Sequence, residues 1–313
     1  MDYTVVIRTL GTAGDYYQQT LNSLITQTIK PSEVIVYIAE DYAIPNQTIG
    51  IEKYVYVKKG MVRQRALRYD EVHTEYILFL DDDVYLPSNA VEIIFNEMKS
   101  NDGQVIAPSL FPNHLVSFKS KLRLTLLGRE VPRFYDRKWG YKVLRTGGFS
   151  YNNNPIKAVY ESTTNAGPCF FCRKDDFLKI HFEEELWLDK APYAFPEDQV
   201  MFYKMHLCGL KVLTSFDSGI VHLDAGSAIQ SSDKKILKVI YSEYRNKTIF
   251  WYKYIYSKEK NRVMKGWNLL CYGYAIGLQY LNSFYKLIRG NKAEVEAFKK
   301  GITDGWLFIK NNR

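Results

Sequence analysis

Cysteine is scarce in this chain. Four residues, Cys169, Cys172, Cys208 and Cys271, are spread over 313 positions, too few and too scattered for a disulfide framework. Cys169 and Cys172 form one CxxC inside the apolar run CFFC, and no second pair follows to complete a zinc site. They read as small buried hydrophobes in a reducing compartment. Long apolar runs are missing too. No stretch reaches the roughly 18 uninterrupted apolar residues of a membrane-spanning helix. The first apolar run, Val5 to Ile7, is far too short for a signal peptide. The expectation is a protein made and kept in the cytoplasm. There is no low-complexity tract, no Walker loop, no GxGxxG and no nucleophile elbow, so P-loop, dinucleotide and serine-hydrolase chemistries have no footing.

What is present is a folded-protein composition, 46% hydrophobic and 24% charged, with 25 Tyr, 17 Phe and 5 Trp. Aromatics at this level suit sugar-facing pockets and membrane interfaces as well as ordinary cores. The net charge of +8 is unevenly placed. From Asp233 onward there are 17 Lys and Arg against 6 Asp and Glu, net +11, while the preceding residues carry 25 against 28, net −3. A basic tail on a slightly acidic body suggests an anionic partner, membrane or nucleic acid. The basic residues of the tail are interspersed with apolar aromatics and match no nucleic-acid-binding module, so no nucleic acid is expected.

Hydrophobic patterning predicts strands at Tyr3 to Arg8, Glu33 to Ile38, Tyr54 to Val57 and Tyr76 to Leu80. Their apolar runs do not alternate, as in parallel strands buried on both faces. Helices are predicted over Asp15 to Thr28, Arg63 to Val72 and Ser88 to Ser100. Further on, Val159 to Cys172 reads as a strand and Asp175 to Ile180 as a helix. Gln199 to Cys208 is a second helix, closed by Gly209, and Lys211 to Thr214 and Gly219 to His222 are short strands. The alternation gives an α/β fold with a mostly parallel sheet over residues 1–230 and a basic, aromatic, helical tail over 231–313. Ligands of such sheets bind at the carboxyl ends of the strands, which places Arg8 to Leu10, Ile38 to Asp41 and Asp81 to Asp83 on one rim.

The sharpest chemical signal is Asp81-Asp82-Asp83 at the end of a buried strand. Three adjacent carboxylates stay ionised together only beside a cation or strong donors. Oxygen ligands suit Mg2+ or Mn2+, which keep waters and bridge to substrate phosphates. The alternative is a solvated acidic turn. Glu197 and Asp198 open a helix, where carboxylates commonly cap; beside a metal-phosphate site Asp198 becomes a candidate general base. His222 follows a short strand and is a candidate third metal ligand. Arg63 and Arg65 add cations suited to a pyrophosphate, or to an exposed helix face.

In this order the pieces resemble a family 2 glycosyltransferase with the GT-A nucleotide-sugar fold, over about residues 1 to 225. VVIRTL places Arg8 and Thr9 where that family has a nucleotide-touching pair, and TLNSLITQTIKPSEVIVYI follows its pattern. In Ile38-Ala39-Glu40-Asp41, Glu40 stands in for a base-reading aspartate. Gly60 to Arg65 resembles the family's glycine-to-arginine stretch. LFLDDDVYLP resembles its DxD motif. The resemblance implies donor contacts from Arg8, Thr9, Glu40, Arg65, Asp81 and Asp82, and a metal at Asp81, Asp83 and His222. PEDQ implies Asp198 as base, and Glu197, Asn165 and Trp187 fall on the acceptor side, which Leu115 to Asn154 and Trp187 to Tyr193 help to shape. The implied activity is inverting transfer of a sugar from a nucleotide diphosphate to a glycan or lipid-linked glycan hydroxyl, with Mn2+ or Mg2+. The tail resembles bacterial surface-polysaccharide members. Within it Trp267, Leu270, Tyr274, Leu278, Leu281, Tyr285 and Ile288 share one helical stripe, ending near Lys286, Arg289 and Lys292. That stripe suits an anionic membrane surface, or packing on the catalytic domain. Three other classes compete with this reading. A nucleotidyltransferase would need a phosphate loop longer than Gly11 to Gly14. A carbohydrate- or cation-binding module would have a spent site. A nucleic-acid binder would need a recognisable module.

Overall fold

The computed structural model describes residues 1–110, 117–126, 138–152, 154–223 and 233–312. The strands are β1 (Tyr3–Thr9), β2 (Glu33–Ala39), β3 (Glu52–Val57), β4 (Tyr76–Asp81), β5 (Val84–Tyr85), β6 (Val105–Pro108), β7 (Tyr141–Val143), β8 (Phe149–Tyr151), β9 (Val159–Ser162), β10 (Cys169–Arg173), β11 (Val212–Ser215) and β12 (Val221–His222). The helices are α1 (Asp15–Ile25), α2 (Ala90–Ser100), α3 (Phe118–Leu126), α4 (Lys174–Leu178), α5 (Glu197–Leu207), α6 (Asp233–Phe250), α7 (Arg262–Ile288) and α8 (Lys292–Asn311), with a π-helical turn at Trp251–Tyr256 after α6.

Eight strands form one sheet in the order β3-β2-β1-β4-β10-β6-β11-β9. Pairing is parallel from β3 to β4 and between β6 and β11; β10 and β9 run against their neighbours. The fold is therefore α/β and GT-A-like, with a mostly parallel sheet and C-terminal helices, as the patterning predicts.

The buried side chains sort by the strand period of two. Val5, Ile7, Val34, Val36, Leu78 and Leu80 face α1 and α2, packing on Leu21, Leu24, Val91 and Ile94. Val6, Ile35, Tyr37 and Phe79 point the other way. They join Val200, Met201 and Phe202 of α5 and, from the tail, Phe250, Trp251 and Tyr254. Burial on both faces is what the unbroken apolar runs of β1, β2 and β4 require.

Two local differences from the sequence reading have clear causes. Residues 63–72 do not form a helix. A single turn closes, Gln64 N–H to Gly60 O at 2.9 Å and Ala66 N–H to Val62 O at 2.7 Å, and Tyr69 then takes a left-handed φ of 54°. The turn is held from outside, because the Asp189 carboxylate accepts from the backbone N–H groups of Val62 (3.0 Å) and Arg63 (2.9 Å). The single strand expected over Val159 to Cys172 divides into β9 and β10, which occupy separate places in the sheet, one at its edge and one between β4 and β6.

The tail is helical, as expected, and its side chains enter the same core as the sheet. Gly301 and Gly305, one turn apart on α8, let that helix lie against α6. A Cβ on Gly301 would meet the Tyr241 carbonyl at 2.6 Å, and one on Gly305 the Arg245 carbonyl at 2.9 Å. The expected division at residues 230–231 falls outside the described residues.

Candidate active site

The parallel register builds the rim. Arg8 pairs with Asp81 across β1 and β4, so both reach the carboxyl edge together with Thr9. A cavity of about 500 Å³ opens there. Its wall includes Arg8, Thr9, Lys59, Arg63, Arg65, Asp81, Asp82, Asp83, Glu197 and His222.

Each of the three aspartates has its own partner. Asp81 is ion-paired with Arg8, and its second oxygen lies 4.0 Å from Arg65 Nη2. Asp82 accepts from the Thr9 hydroxyl, which in turn accepts from Gly11 N–H at 2.7 Å. Burial pushes the Asp82 carboxyl up to about 6; the Thr9 hydrogen bond opposes this and the charges of Asp81 and Asp83 reinforce it. Asp83 lies 3.0 Å from His222 Nε2, because β12 pairs with β5 and sets His222 opposite Val84.

Arg65 joins the two sides of the cavity. Its guanidinium is ion-paired with Asp198, lies 3.5 Å from Glu197 Oε1, and donates to the Gly167 carbonyl at 3.3 Å. Burial works against its charge, and the carboxylates of Asp198, Asp81 and Glu197 more than restore it, so its pKa is raised. Glu197 is buried at the start of α5. Burial pushes its carboxyl up to about 7, the neighbouring Asp198 charge adds to the rise, and Arg65 opposes it.

Among the described residues no three His, Cys, Asp or Glu side chains converge as a metal cage. The Asp83–His222 pair nevertheless suits an open site. Asp83 Oδ1 and His222 Nε2 are hydrogen-bonded at 3.0 Å, and both are donors that a divalent ion would accept. Such a site has two protein donors and leaves its other positions to phosphate oxygens and water. Asp81, expected beside the metal, is held by Arg8 instead.

Three expected site residues are placed elsewhere. Glu40 is exposed at the end of β2, its N–H bonded to Val57 O at 2.7 Å, and is not part of the cavity wall. Trp187 is buried against Phe308, its indole N–H donating to Glu185 at 2.6 Å. Asn165 is buried and donates to Thr214 Oγ1 at 2.9 Å while accepting from Ala166 N–H, which shapes the turn into β10. Of Glu197, Trp187 and Asn165 only Glu197 lines the cavity, and from the segment Trp187 to Tyr193 so do Asp189, Ala191 and Pro192. Of the segment Leu115 to Asn154, residues 115–116, 127–137 and 153 lie outside the described residues.

Sequence reasoning missed two supports. Asp189 pins the loop carrying Arg63 and Arg65. Glu185, fully buried, binds Lys204 (3.0 Å), Lys253 (2.8 Å), Tyr254 and Trp187, tying α5 to the tail. Neither is legible locally, since their partners are distant in sequence.

An α/β sheet with an acidic strand end and an arginine-lined cavity suits an anionic, phosphate-bearing ligand. Similarity to known proteins indicates the class. Residues 3–118 match the model of the glycosyl transferase family 64 domain. A segment of 108 residues is 29% identical to poly(ribitol-phosphate) beta-N-acetylglucosaminyltransferase TarP of Staphylococcus aureus (strain N315), covering 30% of this chain and 32% of that protein. The match thus spans about a third of the relative's length. Both similarities are to glycosyltransferases and support that class for this chain, without singling out family 2.

Proposed function

We propose that this protein is a family 2-type, inverting glycosyltransferase that moves a sugar from a nucleotide diphosphate sugar to a hydroxyl of a glycan or lipid-linked glycan, in polysaccharide or glycolipid synthesis. The observation that carries the reading is the joining of opposite charges beside the strand end: Arg8 is paired with Asp81, and Arg65 stands between Asp81 and Asp198.

In this reading Lys59, Arg8, Arg63 and Arg65 attract and orient the diphosphate. Asp82, tied to Thr9, sits toward the nucleoside. Asp83 and His222 would hold Mn2+ or Mg2+, which would supply positive charge against the diphosphate. Asp198 takes the proton of the acceptor hydroxyl. The acceptor oxygen bonds to the anomeric carbon from the face opposite the leaving group, and the electron pair of the breaking bond stays on the nucleoside diphosphate. Arg65, touching Asp198 and lying near Asp81, aligns base and donor, so positioning contributes more than any covalent step. Glu197, beside Asp198, faces the acceptor.

The test is release of nucleoside diphosphate from a panel of nucleotide sugars with Mn2+ or Mg2+, with EDTA, Asp83→Ala and Asp198→Asn alongside, and donor-induced thermal stabilisation read in the same plate. Turnover of one donor, abolished by EDTA and reduced by about 10²- to 10⁴-fold in Asp198→Asn, supports the proposal. Stabilisation by a donor without turnover, in the presence of candidate acceptors, favours a binding module with a spent site. The absence of both stabilisation and turnover with every donor removes the reading.

A further inference from the structure

The apolar stripe of α7 does not pack on the sheet. Leu270, Leu281, Phe284 and Ile288 are 65–70% exposed, and Trp267 and Tyr285 are exposed beside them. The face turned inward is the more polar one: Asn268, Tyr272, Ala275 and Ser283 are buried. An unpartnered apolar face of this length on a folded protein marks an interaction surface.

We propose that α7, with α3 beside it, seats the protein on an anionic lipid surface. Charge selects this occupant. The 27 residues of α7 include no Asp or Glu. Lys258, Lys260, Arg262 and Lys265 flank one end of the stripe, with Glu259 among them, and Lys286, Arg289 and Lys292 the other, where Lys286 is ion-paired with Glu294 and Lys292 lies 3.8 Å from Glu296. A second copy docking by this face would bring like charges together, whereas anionic headgroups complement both ends. No helix among the described residues is long and apolar enough to cross a membrane, so the fitting geometry is a helix lying in the interface, apolar side chains down and cations at headgroup level. Tyr and Trp on the stripe suit that depth.

The surface extends onto α3. Leu122 and Leu126, one turn apart, are both exposed, and Tyr274 Oη donates to the Leu126 carbonyl at 2.8 Å, tying α3 to α7. The strand before α3, β6, runs in the same direction as β4, since β10 opposes both. The chain therefore leaves β6 at the same edge of the sheet as the carboxyl end of β4. The inference stands on this surface chemistry and not on the sugar-transfer reading.

The test is co-sedimentation of the full chain with vesicles of phosphatidylcholine alone and of phosphatidylcholine with phosphatidylglycerol. Wild type should pellet with the anionic vesicles, less so in high salt. Leu270→Glu/Leu281→Glu/Ile288→Glu should weaken this binding by about an order of magnitude or more while keeping the wild-type melting temperature. If that variant does not fold, Trp267→Phe supplies the reading: it should abolish the blue shift of tryptophan emission that anionic vesicles induce in wild type. No pelleting of wild type, equal pelleting of the glutamate variant, or equal binding to neutral vesicles overturns the proposal. So does a dimer in sedimentation velocity, dispersed by the same substitutions and indifferent to vesicles, which assigns the face to a second copy.

Discussion

Arg65 is in contact with the general-base candidate and close to the strand-end acid, so small changes around it test the whole cavity. Gly167 marks the tightest approach. A Cβ there would fall 2.6 Å from Asp198 Cγ and 2.8 Å from Arg65 Nη2. Gly167→Ala is expected to displace the Asp198–Arg65 pair and lower turnover by about tenfold or more, with donor-induced stabilisation largely kept; steady-state kinetics and thermal shift on the same preparation decide it. Glu197 yields a pH prediction. Its carboxyl is raised to about 7 from an ordinary 4.5, so between those values the folded state keeps a proton the unfolded state has lost. Stability from this group therefore falls as pH rises from about 4.5 to 7. Glu197→Gln should remove that fall and stabilise the protein at pH 8 relative to pH 5, by on the order of 1–3 kcal/mol. Chemical denaturation of both forms at the two pH values is the check. The acidic run and Glu197-Asp198 were legible as motifs in the chain. The pairings Arg8–Asp81 and Arg65–Asp198 were not, because they cross 73 and 133 residues.

The long helix α7 is the element on which sequence and structure differ most usefully. Its apolar stripe was visible by periodicity, and the ordinary rule turns such a stripe toward the core. The opposite happens because the inward face has specific partners. Tyr272 stacks on Trp251 with ring centroids 4.0 Å apart and shares a 2.9 Å hydrogen bond with Thr248. Asn268 accepts from Arg145 at 2.7 Å and donates to the Ile255 carbonyl at 3.3 Å. Tyr272→Ala is accordingly expected to cost about 3–5 kcal/mol, and Leu281→Ala, nine residues along, less than about 0.5 kcal/mol. Denaturant midpoints of the two variants measure the difference; equal losses would mean that the stripe is buried after all. Turn 60–66 makes a related point. Its residues carry helical propensity, and the distant Asp189 carboxylate caps its first N–H groups, but the chain leaves the helix after one turn and reaches a left-handed φ of 54° at Tyr69.

Across the whole molecule, the tail completes one side of the sheet. Phe250, Trp251 and Tyr254 share a core with Val6, Ile35 and Phe79, and the buried Glu185 holds Lys204 of α5 and Lys253 of the tail at once. A fragment of residues 1–232 would expose that apolar face and leave Glu185 without Lys253 and Tyr254. The expected outcome is an aggregating or molten fragment, checked by near-ultraviolet circular dichroism and soluble yield. A well-folded fragment would show that the sheet side is closed without the tail.

The sequence by itself determined the α/β class, the parallel β1–β4 core, the acidic strand end and the carboxylates opening α5. Each is a local pattern: an unbroken apolar run, a residue triplet, a helix start. Tertiary structure alone decided which aspartate meets which cation, that Trp187 and Asn165 lie buried outside the cavity wall while Glu197 lines it, and that α7 turns its apolar stripe outward. Those outcomes depend on partners far along the chain, and only the assembled sheet and helices bring such partners within reach.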